Sequence, residues 1–413
     1  MENFPVVRLG ELVDFRNGLN FPAERYGAGI KLISVADFKD RFFPNYEELS
    51  EVVPDGLIRS DNLLENGDIL FVRSNGNKSL VGRSLYIDDL SEPVAYSGFC
   101  IRARPQMSDV IPLYLAYFCK SRAFREAISN AANGSTIQNL SQPILANCLV
   151  PVPSLDIQKY IADRLSNYDR LIANNNRRIR LFEELAEMKY DEWFVRMPHR
   201  GRKSPITGDH GAVPRGWALR PLSSIAQYLN GYAFKPADLG TEGMPVIKIK
   251  EIKNGIAKDT PRNDGTNIPG KYVTNPGDII FSWSASLEVV VWSGETGIVN
   301  QHLFKVVPNN HISRAFVYLS IKKSLSIFDG LTTGATMKHI KRKELDFVEV
   351  LVPDSETMAD FSTQVEPMIE SVLNLHHQNR LLREARDILL PRLLSGDLAA
   401  HVSAADNNLE IAA

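Results

Sequence analysis

Apolar positions along the chain fall into two kinds of pattern. The longest-range one runs through Ile161, Leu165, Tyr168, Ile172, Asn175, Ile179, Phe182 and Ala186, which alternate steps of four and three. That is the seam of a coiled-coil heptad. The same pattern returns at an offset of 200 in Phe361, Val365, Met368, Val372, Leu375, Asn379, Leu382 and Arg386. In front of each heptad helix lie shorter units. GELVDF and ILFVR are apolar runs bounded by Gly, Asn and Asp, as strands or short helices are. Residues 112–128 and 312–328 space their apolar positions as helices do. LVPVP and VLVP then close each globular part, because proline resists helix continuation and favours extended neighbours.

The two heptads are one part of a duplication that spans the chain. VVRLGELVDFRNGLNF matches LRPLSSIAQYLNGYAF, with Asn17-Gly18 on Asn230-Gly231; NGDILFVRS matches PGDIIFSWS. GSTIQNLSQPILANCLVPVPS, from Gly134, matches GATMKHIKRKELDFVEVLVPDS, from Gly334. The offsets shrink from 213 to 210 to 200, as expected for two copies of one domain with loops of different length, not for a solenoid of short repeats.

These patterns predict an α+β chain of two tandem mixed domains, each followed by a long helix. The boundaries fall at 1–153, helix 154–197, linker 198–212, 213–353, helix 354–398, and a polar tail 399–413 that reads as disordered. Paired antiparallel about a pseudo-two-fold axis level with Arg177 and His377, the helices place Asn175 opposite Asn379, Ile172 opposite Leu382 and Phe182 opposite Val372. A buried Asn pair satisfies itself and fixes register; the alternative, that either asparagine faces solvent, stays open at this level. Pro367 should begin or kink the second helix, and SNYD (166–169) reads as a capping box that breaks the first.

Composition changes the picture little. With 44% hydrophobic and 23% charged residues the chain is that of an ordinary globular protein. It has no long apolar run and no basic-then-apolar start, so a cytoplasmic location is expected. Cys100, Cys119 and Cys148 are too scattered for a disulfide framework or metal site. The net charge of −2 hides an asymmetry: residues 198–353 carry 20 basic and 13 acidic side chains, and 354–413 carry 4 and 10.

Catalytic chemistry is not apparent. GAGIKL fails a dinucleotide fingerprint at its third glycine, and GNKS lacks the upstream glycine of a phosphate loop. All eight histidines lie at or after His199, so the halves share no titratable cluster. Asp68 and Asp278, in the repeated GD pair, read as turn formers. Donors and acceptors suited to DNA do recur in matching places. Asn17 has Asn230, Tyr232 and Lys235 as counterparts. ISVADF and IKIKEI, read as strands, put Ser34 and Asp37, or Lys248 and Lys250, on one face. Arg73, Asn75, Asn77, Lys78 and Arg83 lie in a turn-rich stretch opposite Ser282-Trp283-Ser284. Thr136, Gln138 and Asn139 stand against Thr336, Lys338, His339, Lys341 and Arg342. For each residue singly, a solvated loop side chain is the competing reading.

LIANNNRRIRLFEELAEMKYDEWFVR (171–196), VPRGWALRPLSSIA (213–226), the paired GDILF and GDIIF, and the terminal LLPRLLSGDL (389–398) together resemble the specificity (S) subunits of type I restriction-modification systems. The resemblance covers nearly the whole chain up to about Ala399. It implies two target recognition domains reading the halves of an interrupted DNA site, with helical spacers between them. It also implies docking of methyltransferase (M) subunits, two of them, and restriction (R) subunits. The chain itself would be non-catalytic, with S-adenosylmethionine, ATP and Mg bound by those partners. Two alternatives remain at this level: a specificity subunit of a related modification or defence system without an R subunit, and a pseudo-dimeric protein scaffold.

Overall fold

A computed structural model describes residues 4–39, 41–54, 56, 58–74, 81–131, 140–196, 214–284, 286–331 and 342–395. Asn75, Asn77, Lys78, Thr136, Gln138, Asn139, Thr336, Lys338, His339 and Lys341 lie outside the described residues. So do the whole linker and the whole tail.

In the first half, β1 (Val6–Arg8) leads into α1 (Leu9–Leu12) and β2 (Val13–Asn17); β3 (Tyr26–Ile33), β4 (Ser50–Val52), β5 (Ile69–Val72), β6 (Ser84–Tyr86), β7 (Val94–Tyr96) and β8 (Cys100–Pro105) follow. Helices α2 (Pro112–Lys120), α3 (Arg122–Ala131) and α4 (Gln142–Ala146) precede β9 (Leu149–Pro151) and the long α5 (Leu155–Tyr190). Two sheets result, ordered β2-β8-β5-β6 and β4-β3-β7, while β1 pairs with β9 to close the domain. β5 reads ILFV and all four residues are buried, because this strand is covered on both faces.

The second half repeats the plan. β10 (Ala218–Pro221), α6 (Leu222–Ile225), β11 (Ala226–Asn230), β12 (Met244–Ile247), α7 (Ile249–Asn254), β13 (Arg262–Asn263), β14 (Val273–Thr274), β15 (Ile279–Ser282), β16 (Glu288–Val291), β17 (Gly297–Val299) and β18 (Leu303–Pro308) come first. They are followed by α8 (Arg314–Leu331), β19 (Glu349–Val352) and α9 (Ser355–Leu394). The sheet β11-β18-β15-β16 copies β2-β8-β5-β6, and β10 with β19 copies β1 with β9. Asp68 and Asp278 shape equivalent turns: their carboxylates accept from the backbone N–H of Glu65 (2.7 Å) and Asn275 (2.8 Å).

The compact units cut across both long helices. Unit 1 comprises residues 1–173 and 381–413; unit 2 comprises 174–380. The core of unit 1 therefore takes in Ile161 and Leu165 from α5 together with Leu390 and Leu393 from the end of α9. That of unit 2 takes in Tyr190 and Phe194 beside Phe361 and Val365. The Phe194 and Phe361 rings meet edge-on at 4.8 Å. Nearer the middle, Asn175 Nδ2 donates to Asn379 Oδ1 (3.0 Å) and Asn379 Nδ2 to Asn176 Oδ1 (2.8 Å). Partner numbers rise on one helix as they fall on the other, so the two run antiparallel within unit 2.

Four local readings are corrected. α9 runs unbroken through Pro367. Val365 and Ile369, on either side of it, are buried in the unit 2 core, and that packing outweighs the missing N–H. α5 is likewise unbroken at SNYD: Ser166 Oγ donates to the Asp163 carbonyl (3.2 Å), and Asp169 is engaged elsewhere, with Tyr117 Oη donating to it (2.9 Å) and Arg386 paired to it. ISVADF leaves its strand at Ile33, because Ser34 and Asp37 close a capping box around one turn of 3-10 helix. IKIKEI turns at Lys248 into α7, where the Glu251 carboxylate accepts from the Lys248 N–H (3.1 Å). Lys248 and Lys250, two apart at the start of a helix, do not share a face.

Candidate nucleic-acid interface

Several of the described candidate residues gather at one end of the main sheet in each unit. In unit 1, β2 and β5 finish there and β8 begins. Asn17, exposed at the end of β2, accepts from Gln142 Nε2 (3.2 Å). Arg73 follows β5; its N–H donates to the Phe99 carbonyl (2.8 Å), and its Nη1 lies 3.5 Å from the Gly98 carbonyl. Ser34 borders a hollow of about 250 Å³ with Asn20, Tyr26 and Phe99, but its hydroxyl is spent on Asp37 (2.8 Å). Arg83 sits apart, donating to the Lys39 carbonyl (2.9 Å).

In unit 2 the same end holds Asn230, exposed, and Tyr232, whose ring meets Phe234 at 5.0 Å and Tyr272 at 5.5 Å. Trp283 packs against His302 (6.1 Å) and Phe304 (5.8 Å). Ser282 and Ser284 are buried, the Ser282 hydroxyl donating to the Ser284 carbonyl (3.2 Å); they belong to the sheet interior and present nothing at its surface. Lys235 caps a 3-10 turn at Pro236–Asp238, and Arg342 opens another at Arg342–Asp346. Lys250 pairs with Asp259 (2.6 Å) in solvent, where such a pair adds little stability.

The repeated Asn-Gly is not a free loop. Gly18 N–H donates to the Cys100 carbonyl (3.2 Å) and Leu19 N–H to Tyr96 (3.1 Å); Gly231 donates to Leu303 (3.0 Å) and Tyr232 to Val299 (2.7 Å). The turn between β7 and β8 is thereby stitched to the end of β2, and that between β17 and β18 to the end of β11. An added Cβ would lie 2.2 Å from the Ser97 carbonyl oxygen at Gly18 and 2.2 Å from that of Asn300 at Gly231, so glycine is required by close approach. Sequence reasoning chose the Asn-Gly but missed the turns it holds, SGFC (97–100) and NQHL (300–303). The signal available was their divergence between two otherwise matching strands.

Burial raises the Tyr96 hydroxyl and the Cys100 thiol to about 12, so neither ionises near neutrality. Among the described residues no group of three or more His, Cys, Asp or Glu could hold a metal, and no helix is long and apolar enough to cross a membrane. The end of the sheet can donate, accept and make apolar contacts; its described residues include no shared acid-base pair.

The family model of the type I restriction modification DNA specificity domain matches residues 1–183 and again 214–371. The chain belongs to that family. This S subunit is 24% identical over 306 residues to the MjaIX type I restriction enzyme specificity subunit of Methanocaldococcus jannaschii, covering 70% of this chain and 69% of that one. It is also 24% identical over 393 residues to the EcoKI specificity subunit of Escherichia coli, covering 86% and 80%. Among solved structures, the type I S subunit from M. genitalium shares the fold, with a TM-score of 0.55 at 15% identity over 95% of this chain and 97% of that one. The protein is the DNA specificity subunit of a type I restriction-modification system and is non-catalytic.

Proposed function

We propose that each unit reads one block of an interrupted, asymmetric duplex sequence through the sheet end described above, one block per copy of the domain. The observation that carries this is the repetition of one stitched turn in both copies with different side chains upon it. Equal scaffolds give equal docking, and unequal side chains give two different blocks, as base-edge readout requires. Phosphate contacts from the basic stretch 198–353 would position the duplex without specifying it. The S subunit docks two methyltransferase subunits and, through the assembly, restriction subunits. S-adenosylmethionine, ATP and Mg belong to those partners.

The test is selection from a randomised duplex pool by the full chain co-purified with the methyltransferase subunits of its own system. Two short defined blocks separated by a fixed run of indifferent bases are expected. An enriched pool without a motif, from an intact complex, would refute the reading.

A further inference from the structure

The two stitched turns share six hydrogen bonds, bond for bond. Besides the four already given, Ser97 N–H donates to Ile33 O (2.9 Å) as Asn300 does to Ile247 (2.9 Å), and Gly98 N–H to Leu19 O (2.7 Å) as Gln301 does to Tyr232 (3.0 Å). Cys100 N–H donates to Ser97 O and Leu303 N–H to Asn300 O, both at 2.9 Å. The side chain at the turn's first position caps the third in both: Phe99 N–H donates to Ser97 Oγ (3.3 Å) and His302 N–H to Asn300 Oδ1 (3.4 Å). The backbone is thus held in one conformation twice.

What differs is the tip. Phe99 is 57% exposed, although burial would be the ordinary fate of a phenyl ring. Gly98 has no side chain because the Asn20 carboxamide occupies its place, with Oδ1 2.2 Å from an ideal Cβ. In the second copy the residue matching Asn20 is Ala233, and the amide is carried instead at the turn by Gln301, exposed beside the exposed His302. Each tip therefore presents one carboxamide and one ring, delivered from different backbone positions: Asn20 with Phe99, and Gln301 with His302.

We infer that these two pairs are specificity-determining residues of the S subunit, one pair for each block; the inference rests on the DNA-reading role of the sheet ends. A carboxamide is the natural bidentate partner of adenine N6 and N7 in the major groove. The Phe99 ring, which can neither donate nor accept a conventional hydrogen bond, reads the C5 methyl of thymine. His302, held against Trp283, offers one ring N–H or lone pair to a purine edge. Because the same hydrogen bonds hold both turns, the difference between the blocks at the bases under the tips follows from these side chains.

The experiment is the same pool selection, with the full complex carrying Phe99→Ala, Asn20→Ala or Gln301→Ala. Phe99→Ala should lower the preference for thymine at one position of the first block by roughly four-fold, the value of one buried methyl. Placing deoxyuridine there should produce the same loss in the wild type and no further loss in the variant. Gln301→Ala should relax an adenine preference in the second block by roughly five-fold or more and leave the first block unchanged. Phe99→His, which gives the first copy the ring of the second, should change the preferred base instead of erasing it. Unchanged preferences, or a uniform loss of affinity across all sequences, would overturn the assignment. A wild-type pool with no motif would instead overturn the underlying DNA-reading role, so the two failures are distinguishable.

Discussion

Replacing Arg386 with Leu probes how the end of the last helix completes unit 1. Asp169 is buried, its side chain 3% exposed, and its carboxylate is held by Tyr117 Oη (2.9 Å) and by the Arg386 guanidinium, itself 19% exposed. Burial pushes the Asp169 carboxyl up, and Arg386, then Tyr117, pull it back. Arg386→Leu removes the counter-charge and leaves a carboxylate in a low-dielectric site. Breaking a buried pair from one side costs about 3–5 kcal/mol, and the partial exposure of Arg386 places the expectation near the lower end. The loss has a definite pH dependence. Without Arg386 the folded-state pKa of Asp169 rises further above its unfolded value, so the penalty is complete above the folded pKa. It shrinks as pH falls and the buried carboxyl takes up a proton. All four tryptophans lie at or after Trp193, within unit 2, so their fluorescence would not see this event. Hydrogen exchange of the α2 amides, compared with wild type at pH 8 and at pH 5, would. Protection should fall by the stated amount at pH 8 and by less at pH 5, while Tyr117→Phe/Asp169→Leu/Arg386→Leu should recover most of it. A defect under about 1 kcal/mol at pH 8, or one equal at both pH values, would refute the reasoning; the lower bound is well short of a broken buried pair.

Other perturbations test other parts of the chain. Gly231→Ala places a methyl 2.2 Å from a backbone carbonyl oxygen, an overpacking cost of about 1–3 kcal/mol or more; base preferences in the second block alone should blur in pool selection. Asn175→Leu takes away a hydrogen bond of Asn379, which is 1% exposed. It should lower unit 2 stability by about 1–3 kcal/mol in urea unfolding followed by tryptophan fluorescence, and Asn175→Leu/Asn379→Leu should regain most of that. Pro367→Ala, inside a continuous helix, should stabilise unit 2 in the same assay by up to about 3 kcal/mol; a lower midpoint would mean that the proline is a favoured part of the packing.

The duplication, the α+β class, the heptad seams and the antiparallel pairing were legible in the chain because they rest on periodicity and on repetition, which are one-dimensional. The turn-forming roles of Asp68 and Asp278 were legible for a related reason: each carboxylate caps a backbone N–H three residues away. Readings that balanced two local signals went astray. Pro367 and SNYD carry genuine helix-breaking chemistry, but each helix runs on through its site, with buried seam residues on either side. In IKIKEI an alternating pattern lost to the Glu251 cap. What only the tertiary structure decided was the company each residue keeps. Phe99, Asn20 and the Gly18 stitch come together through hydrogen bonds between segments some 80 residues apart in sequence, and the last turns of α9 join a core that begins at Leu9. Such contacts are selected by the closing of sheets and the burial of apolar faces over the whole chain, and no window of sequence contains both partners.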